Sequence, residues 1–241
     1  MKSAGAKPAM NGNRTGIQTS PDPAEELLEG TASATPSSEG GPEVIAEYRG
    51  EYIAEGYPLG SLPTMPADSE ADADEELVGM AVLLDKLSER IAFERTGTRL
   101  YEALLNKCEA LGATDGGPTV EDIKEIGSQE LEHFLMLNRV VTELGGDPTV
   151  QSPCADVAGV ASMGIMQVLT DPRSSMAQCL QAILVAELTD NDGWQLLIKL
   201  ADNLGLSDMK SEFETAMEHE ELHLLNVRAW LSDCVMNHAQ V

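Results

Sequence analysis

The chain has 241 residues, and its 41 acidic side chains outnumber 15 basic ones to give a net charge of −26. This charge argues against binding to nucleic acid, because phosphate contacts need a basic face, and it argues equally against binding to an anionic membrane surface. Neither a run of eighteen apolar residues nor an apolar stretch behind Lys2 and Lys7 is present, so we expect a cytoplasmic protein without a membrane span.

Residues 1–72 are predicted to form a disordered or extended N-terminal segment. Residues 1–42 are rich in Gly, Ser, Thr, Pro and Ala, and this composition buries too little apolar surface to offset the entropy of ordering. Residues 43–66 hold three of the four tyrosines, which favours an extended arm packed onto the following domain or onto a neighbouring subunit. A linker without fixed contacts is the alternative interpretation.

Residues 73–241 are predicted to form one domain of four long helices. The first runs from Glu75 to Leu111, with apolar residues at steps of three or four, and Gly112 ends it. Thr119 caps the second helix, which runs to Leu144, with Asp122 as the capping-box acid.

The second half of this domain begins with its longest connection, residues 147–174, in which Val157 to Leu169 predict a short helix. A third long helix is expected from Ser175 to Asn203. The fourth is expected to be capped by Ser207 and to continue to about Ser232.

Two of the four histidines follow a glutamate by three residues: His133 follows Glu130, and His223 follows Glu220. Three residues of helix correspond to about 300° of rotation and roughly 4.5 Å of rise, so each carboxylate and imidazole share a face. Each pair is therefore able to chelate one metal ion.

A single glutamate precedes each pair in an earlier helix. Glu94 lies 36 residues before the first pair, and Glu187 lies 33 residues before the second. Both follow apolar residues, and a buried carboxylate without a partner is costly, which favours metal ligation over a solvent-facing position. Tyr101 and Trp194 follow these two glutamates by seven residues, which indicates a duplicated helical hairpin.

This ligand set resembles that of the ferritin-like superfamily over about residues 75–235. The residues that carry the resemblance are Glu94, Glu130, His133, Glu187, Glu220 and His223. It implies an all-α four-helix bundle with a long crossover between its second and third helices, holding two iron ions, with manganese or a mixed pair as alternatives. It also implies that Glu130 and Glu220 bridge the ions while Glu94 and Glu187 bind terminally.

The same resemblance implies redox chemistry with dioxygen or peroxide, of the oxidase, ferroxidase or peroxidase type, in a homo-oligomer, with a dimer favoured. The chain has no C-x-x-C motif, so a peroxidase activity needs an external electron donor. Two alternatives remain open: iron storage or delivery without turnover, and a structural bundle whose residues 1–66 dock onto a partner.

Several neighbours of the proposed ligands have two interpretations. Tyr101 matches a ferritin-type feature and is either a hydrogen-bonding, redox-active phenol or core packing. Asp190 and Asn191 either hydrogen-bond a ligand histidine or face solvent. Gly97 leaves room for dioxygen or substrate, or allows close helix packing. The residues assigned to the surface are Glu132, Glu218, His219 and Glu221.

Overall fold

The computed structural model describes residues 21–34, 40–63 and 75–239. Every regular element in these residues is an α-helix, which confirms the predicted all-α class. The seven helices of the described chain are α1 (Pro21–Ser33), α2 (Pro42–Glu55), α3 (Glu75–Leu111), α4 (Val120–Glu143), α5 (Pro153–Thr170), α6 (Met176–Asn203) and α7 (Ser207–Ala239).

The chain divides into two units, Met1–Tyr57 and Pro58–Val241. The first unit contains two helices that were not part of the prediction, α1 within residues 1–42 and α2 almost entirely within residues 43–66. Both sequences favour a helix locally: α1 contains a run of strong helix formers, and α2 begins at a proline, whose fixed φ suits a first turn. No residue of α2 is buried within the described chain. The predictions for residues 1–20, 35–39 and 64–74 lie outside the described residues.

The predicted ends of α3 and α4 are confirmed to within one residue. Gly112, at a φ of 73°, ends α3, and its N–H donates to the Cys108 carbonyl at 3.0 Å. Thr119 caps α4: its hydroxyl accepts from the Asp122 N–H at 3.1 Å, and the Asp122 carboxylate accepts from the Thr119 N–H at 2.9 Å. These caps satisfy backbone groups that a helix end otherwise leaves unpaired.

The helix α5 is longer than predicted, because it begins at Pro153 rather than near Val157. The Ser152 hydroxyl caps it and also donates to the Asp85 carbonyl of α3 at 3.2 Å, which fastens the start of α5 to α3. Among the described helices, α5 alone is long and apolar enough to cross a membrane, with 18 residues and a mean hydropathy of 1.2. It packs against α3 and α6.

The short stretch 60–63 lies against the connection between α4 and α5. The Ser61 N–H donates to the Gln151 carbonyl at 2.9 Å, and the Asp147 N–H donates to the Pro63 carbonyl at 2.8 Å. Gly60 has a φ of 105°, and a Cβ there would lie 2.4 Å from the Gln151 carbonyl oxygen. Glycine is required at this position for both reasons.

The start of α6 agrees with the prediction, and Ser175 forms a capping box with Gln178. The helix α7 differs at both ends. It extends to Ala239, seven residues beyond the predicted end. At its start, the Lys210 N–H donates to the Leu206 carbonyl at 2.9 Å, so Leu206 rather than Ser207 takes the cap position.

Four helices contact one another in a closed circuit, α3 to α4, α4 to α7, α7 to α6 and α6 to α3. Their buried apolar side chains form two separate clusters. The first includes Leu104 of α3, Ile123 of α4, Ile183 of α6 and Val227 of α7. The second includes Leu87 of α3, Leu137 of α4, Leu197 of α6 and Phe213 of α7. On each of the four helices a buried acidic residue lies between the two clusters.

Candidate metal centre

The six predicted ligands are all buried in the layer between the two apolar clusters. Each has at most 4% of its surface exposed. They come from four helices: Glu94 from α3, Glu130 and His133 from α4, Glu187 from α6, and Glu220 and His223 from α7. The apolar stripes of the helices turn them inward together.

Glu220 lies between the two histidines. Its Oε1 is 2.8 Å from Nδ1 of His133, and its Oε2 is 3.1 Å from Nδ1 of His223. A second carboxylate approaches each ring: Oε2 of Glu94 is 3.7 Å from Nδ1 of His133, and Oε1 of Glu130 is 3.4 Å from Nδ1 of His223. Both imidazoles therefore direct Nδ1 toward the same group of carboxylates.

The donor atoms of these residues form three overlapping groups, within each of which all atoms lie within 4.8 Å of one another. The groups are Glu94–His133–Glu220, Glu130–Glu220–His223 and Glu94–Glu130–Asp190–Glu220. Glu220 belongs to all three. Five of the six predicted ligands are thus close enough to share bound cations, together with Asp190.

Glu187 is buried but belongs to none of the three groups. Its Oε1 accepts a hydrogen bond from the Tyr101 hydroxyl at 2.5 Å, and its Oε2 finds no partner among the described residues. The structure therefore supports the hydrogen-bonding interpretation of Tyr101. The assignment of Glu187 as a ligand stays a prediction.

The outward nitrogens of the two histidines have partners that the sequence interpretation missed. Nε2 of His133 lies 3.2 Å from Nδ1 of His219, and Nε2 of His223 lies 2.7 Å from Oε1 of Gln129. An acceptor on Nε2 fixes the tautomer that leaves Nδ1 free to bind a metal. The assignment of His219 to the surface was wrong: it is half-buried and stacks on His133, because it lies one turn before His223.

Asp190 and Asn191 do not hydrogen-bond a ligand histidine. Asp190 instead accepts from the buried Arg90, whose Nη1 lies 2.6 Å from Oδ1. The Asn191 side chain donates to the backbone carbonyls of Glu187 and Glu220, each at 3.0 Å, and so joins α6 to α7.

Arg90 was not recognised as a site residue, although it lies one turn before Glu94 on the same helix. Its Nε is 3.8 Å from Glu94 Oε1, and its guanidinium lies 4.2 Å from the centre of the Phe93 ring. A Cβ on Gly193 would lie 2.2 Å from Arg90 Nη1. The glycine within α6 therefore makes room for the arginine.

Gly97 provides space for a carboxylate rather than for a free molecule. A Cβ at this position would lie 1.9 Å from Oε2 of Glu130. The absence of a side chain on α3 lets the Glu130 carboxylate of α4 enter the site. The sequence indicated free space beside Glu94 at Gly97. In the structure the carboxylate of Glu130 occupies this space.

We expect Gly97→Ala to weaken metal binding by at least about tenfold, because the new methyl group displaces the Glu130 carboxylate. Alanine is intrinsically favoured over glycine in a helix by about 1 kcal/mol, so helix propensity alone predicts no loss. The measurement is a Mn²⁺ titration followed by calorimetry. Gly159→Ala is the matched control, because a Cβ there meets nothing within 4 Å; equal affinities of the two variants would contradict the proposed role of Gly97.

Burial is the main influence on the acid–base behaviour of the site. It raises the pKa of Glu130, of Glu220 and of Asp190 well above their ordinary values, and the surrounding carboxylates raise these pKa values further. Burial also raises the pKa of Glu187 to about 8, against the opposing hydrogen bond from Tyr101. The pKa of His223 falls to about 3, because burial and then His133 disfavour its cationic form.

The metal-free protein is expected to lose stability as the pH rises from 6.5 to 8. Glu187 has a folded-state pKa of about 8 against an ordinary 4.5, so the folded protein binds a proton here that the unfolded chain releases above pH 4.5. The contribution of this group to the free energy of unfolding is therefore complete below pH 4.5 and is lost as the pH rises toward 8. His223 acts in the opposite sense, but only below pH 6.5, where its unfolded form takes up a proton. Each affected carboxyl group contributes at most about 1.4 kcal/mol per pH unit.

Urea unfolding in the presence of a chelator, at several pH values between 6.5 and 8, measures this dependence. Glu187→Gln should reduce the slope, because it removes one of the titrating groups. A free energy of unfolding that does not change with pH in this interval would contradict the burial of protonated carboxyl groups.

The strongest sign that the site suits a cation is the set of buried polar atoms without hydrogen-bond partners among the described residues. Those able to bind a cation are both carboxylate oxygens of Glu94, Oε1 of Glu130, Nδ1 of His133, Oε2 of Glu187 and Oε1 of Glu220; the two others are N–H donors, Nε of Arg90 and Nε1 of Trp194. Nδ1 of His133 and Oε1 of Glu220 lie 2.8 Å apart but do not form a hydrogen bond. Buried polar atoms are nearly always paired in native proteins, and leaving one unpaired costs about 1–3 kcal/mol. A cation satisfies several such acceptors at once. The chain therefore contains a buried carboxylate and imidazole cluster able to hold a metal ion.

Comparison of the chain with family models, with curated proteins and with solved structures gives no match, so the site is defined by its own geometry.

Proposed function

We propose that α3, α4, α6 and α7 form a ferritin-like four-helix bundle. The supporting observation is the order in which each helix meets the two apolar clusters. Along the chain, α4 and α6 pass from the first cluster to the second, whereas α3 and α7 pass from the second to the first. Successive helices α4 and α6 are then parallel, which requires a connection as long as the bundle, and α5 lies in that connection.

The function that this site supports best is the binding of two divalent transition-metal ions, most simply iron, for redox chemistry with dioxygen or peroxide. The single observation that carries this proposal is the convergence of the unpartnered carboxylate and imidazole atoms in the buried layer. Carboxylate and imidazole ligands suit iron and manganese, so the choice of iron rests on the ferritin-like resemblance.

The charge of the layer also fits two divalent ions. The described residues contain five buried carboxylates, Glu94, Glu130, Glu187, Asp190 and Glu220, and one buried cationic side chain, Arg90. When all are ionised, they leave four negative charges. Two divalent cations neutralise this charge, whereas a single one leaves a buried excess that is costly.

In this arrangement Glu94, Glu130, Glu187 and Glu220 would hold the two ions together with His133 and His223, and the ferritin-like resemblance assigns the shared ligands to Glu130 and Glu220. Glu220 already lies between Nδ1 of His133 and Nδ1 of His223. Glu187 offers its unpartnered Oε2 while its Oε1 holds the Tyr101 hydroxyl. Bound iron would supply one-electron redox steps and open positions for dioxygen or peroxide.

The remaining residues would prepare the site for this chemistry. Gln129 Oε1 accepts a hydrogen bond from Nε2 of His223, and Nδ1 of His219 pairs with Nε2 of His133, so both ligand rings are held in orientation. The Tyr101 hydroxyl donates a hydrogen bond to the Glu187 carboxylate. Burial raises the pKa of this hydroxyl well above 10, so the phenol remains protonated. The two apolar clusters exclude bulk water on both sides of the layer.

Addition of ferrous iron to the metal-free protein, with simultaneous recording of oxygen consumption, tests the proposal. We expect two equivalents of iron to bind and oxygen to be consumed over repeated additions. Binding of two equivalents without oxygen consumption would replace the redox function by sequestration or delivery. A protein that binds no iron, manganese or cobalt would leave only the structural interpretation.

A further inference from the structure

The cluster needs an entrance, because its ligands are almost completely buried. Glu94 and Glu220 are fully buried, and His223 has only 1% of its surface exposed. A hydrated divalent ion has to shed water and pass between helices to reach these atoms. The region that admits it should be lined by oxygen atoms and should end at a ligand.

One surface cleft of the described chain ends at a predicted ligand. It lies between α4 and α7, encloses about 100 Å³, and has His223 in its lining. This volume holds several water molecules. Gln129 also lines the cleft, and its Oε1 lies 2.7 Å from Nε2 of His223, so the glutamine amide occupies the position next to this imidazole nitrogen.

This cleft carries negative charge. Asp122 and Glu125 of α4 line it together with the neutral side chains of Asn226 and Trp230, and none of the described residues that line it is Lys or Arg. A narrow opening with charge of one sign concentrates ions of the opposite sign and speeds their association.

Two other depressions suit a cation less well. The groove between α3, α5 and α6 is mostly apolar, includes Lys86 and does not touch a predicted ligand in the described chain. The cleft between α6 and α7 reaches Asn191 and is lined by Glu218 and Glu221, but it also includes Arg228. Two hydrogen bonds hold the Asn191 side chain in place, whereas Gln129 makes only its contact with His223 in the described chain.

From these observations we propose that hydrated divalent cations enter the centre through the α4–α7 cleft, with Gln129 as the side chain that moves aside. Rotation of this flexible amide opens the space in front of His223 and brings an oxygen ligand to the arriving ion. Return of the amide to Nε2 then fixes the imidazole with Nδ1 toward the ion. The proposal rests on metal binding at the centre, as argued above, and adds the path to it.

The test is the rate of Co²⁺ uptake by the metal-free full-length protein, followed by stopped-flow visible absorbance and compared with the equilibrium affinity. Glu125→Lys should slow association about tenfold at low ionic strength and much less at about 1 M salt, with an unchanged dissociation constant. Glu132→Lys is the matched control, because Glu132 is also exposed on α4 but does not line the cleft.

A second variant tests the path by size rather than by charge. Asn226→Trp places a larger side chain at an exposed position of the α4–α7 cleft. We therefore expect the association and the dissociation of Co²⁺ to slow in equal proportion. Circular dichroism verifies that both variants keep their helices.

The outcomes separate the path from the metal centre itself. If Glu221→Lys in the α6–α7 cleft slows uptake while Glu125→Lys does not, the entrance lies on the other side of α7 and the proposal is overturned. Equal rates for all variants would overturn it as well. Failure of the unaltered protein to bind Co²⁺ would instead refute the proposed metal centre.

Discussion

Arg90→Leu is expected to lower the free energy of unfolding of the metal-free protein by about 3–5 kcal/mol, because it leaves Asp190 buried without its cation. The loss should be larger at pH 8 than at pH 6, since an unpaired carboxyl group takes up a proton as the pH falls. Urea unfolding in the presence of a chelator measures the difference.

Two controls identify the cause of this loss. Arg139→Leu removes an exposed arginine that pairs with Glu143 and Glu212, so its cost should stay below about 1 kcal/mol. The double variant Arg90→Leu with Asp190→Leu removes both buried charges and should recover much of the stability. A single variant as stable as the unaltered protein would show that the pair does not balance the buried charge.

Metal ions should stabilise Arg90→Leu more than they stabilise the unaltered protein. The released Asp190 carboxylate lies in one group with Glu94, Glu130 and Glu220, close enough to serve as a further ligand. The increase in unfolding free energy on addition of Mn²⁺ measures this difference. An equal increase in both proteins would indicate that Asp190 does not approach the ions.

Glu220→Gln is expected to abolish the binding of two metal ions, with an affinity loss of more than about 100-fold, while helical content remains unchanged. Glutamine keeps the shape of the side chain but removes the negative charge between His133 and His223. Burial raises the pKa of Glu220 well above its ordinary value and so favours the uncharged form, which glutamine resembles; the stability of the metal-free protein should therefore change little.

Elemental analysis and calorimetric titration with Mn²⁺ measure the stoichiometry and affinity of this variant. Glu221→Gln is the control, since it carries the same chemical change at the next position, which is exposed. Tight binding of two equivalents by Glu220→Gln would remove Glu220 from the ligand set and with it the central feature of the proposed site.

Helix ends were predictable from the sequence because the signals that set them are local. Thr119 with Asp122 and Ser175 with Gln178 form capping boxes within four residues, and Gly112 supplies the positive φ that ends α3. The helices α1 and α2 were not predicted, because the interpretation of residues 1–66 gave more weight to the small apolar surface available for burial than to local helix propensity. The helix α2 forms without burying a residue within the described chain.

The residues of the candidate site were predictable where a carboxylate or imidazole shares a helix face with apolar residues. This criterion placed five of the predicted ligands in the interior, because their inward direction follows from the helix period alone: Glu94, Glu130, His133, Glu220 and His223. It also placed Glu187 in the interior, but its bond to Tyr101 depends on the distance between α3 and α6.

The partners that orient the site were not predictable, because each depends on contact between two helices. Gln129 of α4 reaches His223 of α7, and His219 of α7 reaches His133 of α4. The sequence around Arg90 does not distinguish it from an exposed charged residue of a helix. Its burial depends on Gly193 and Asp190 of α6, which provide space and an ion-pair partner. No single helix carries the information that selects these pairs.

The buried acidic layer between the two apolar clusters has a consequence for the alignment of the helices along their axes. Leucine, isoleucine and valine side chains on either side of the layer tolerate exchange of neighbours, so they fix axial alignment only weakly. A slip of one helix by a single turn, about 5.4 Å, would move a carboxyl group among those aliphatic side chains at a cost of several kcal/mol. The same groups that make the interior receptive to cations therefore also select one sliding position for each of the four helices.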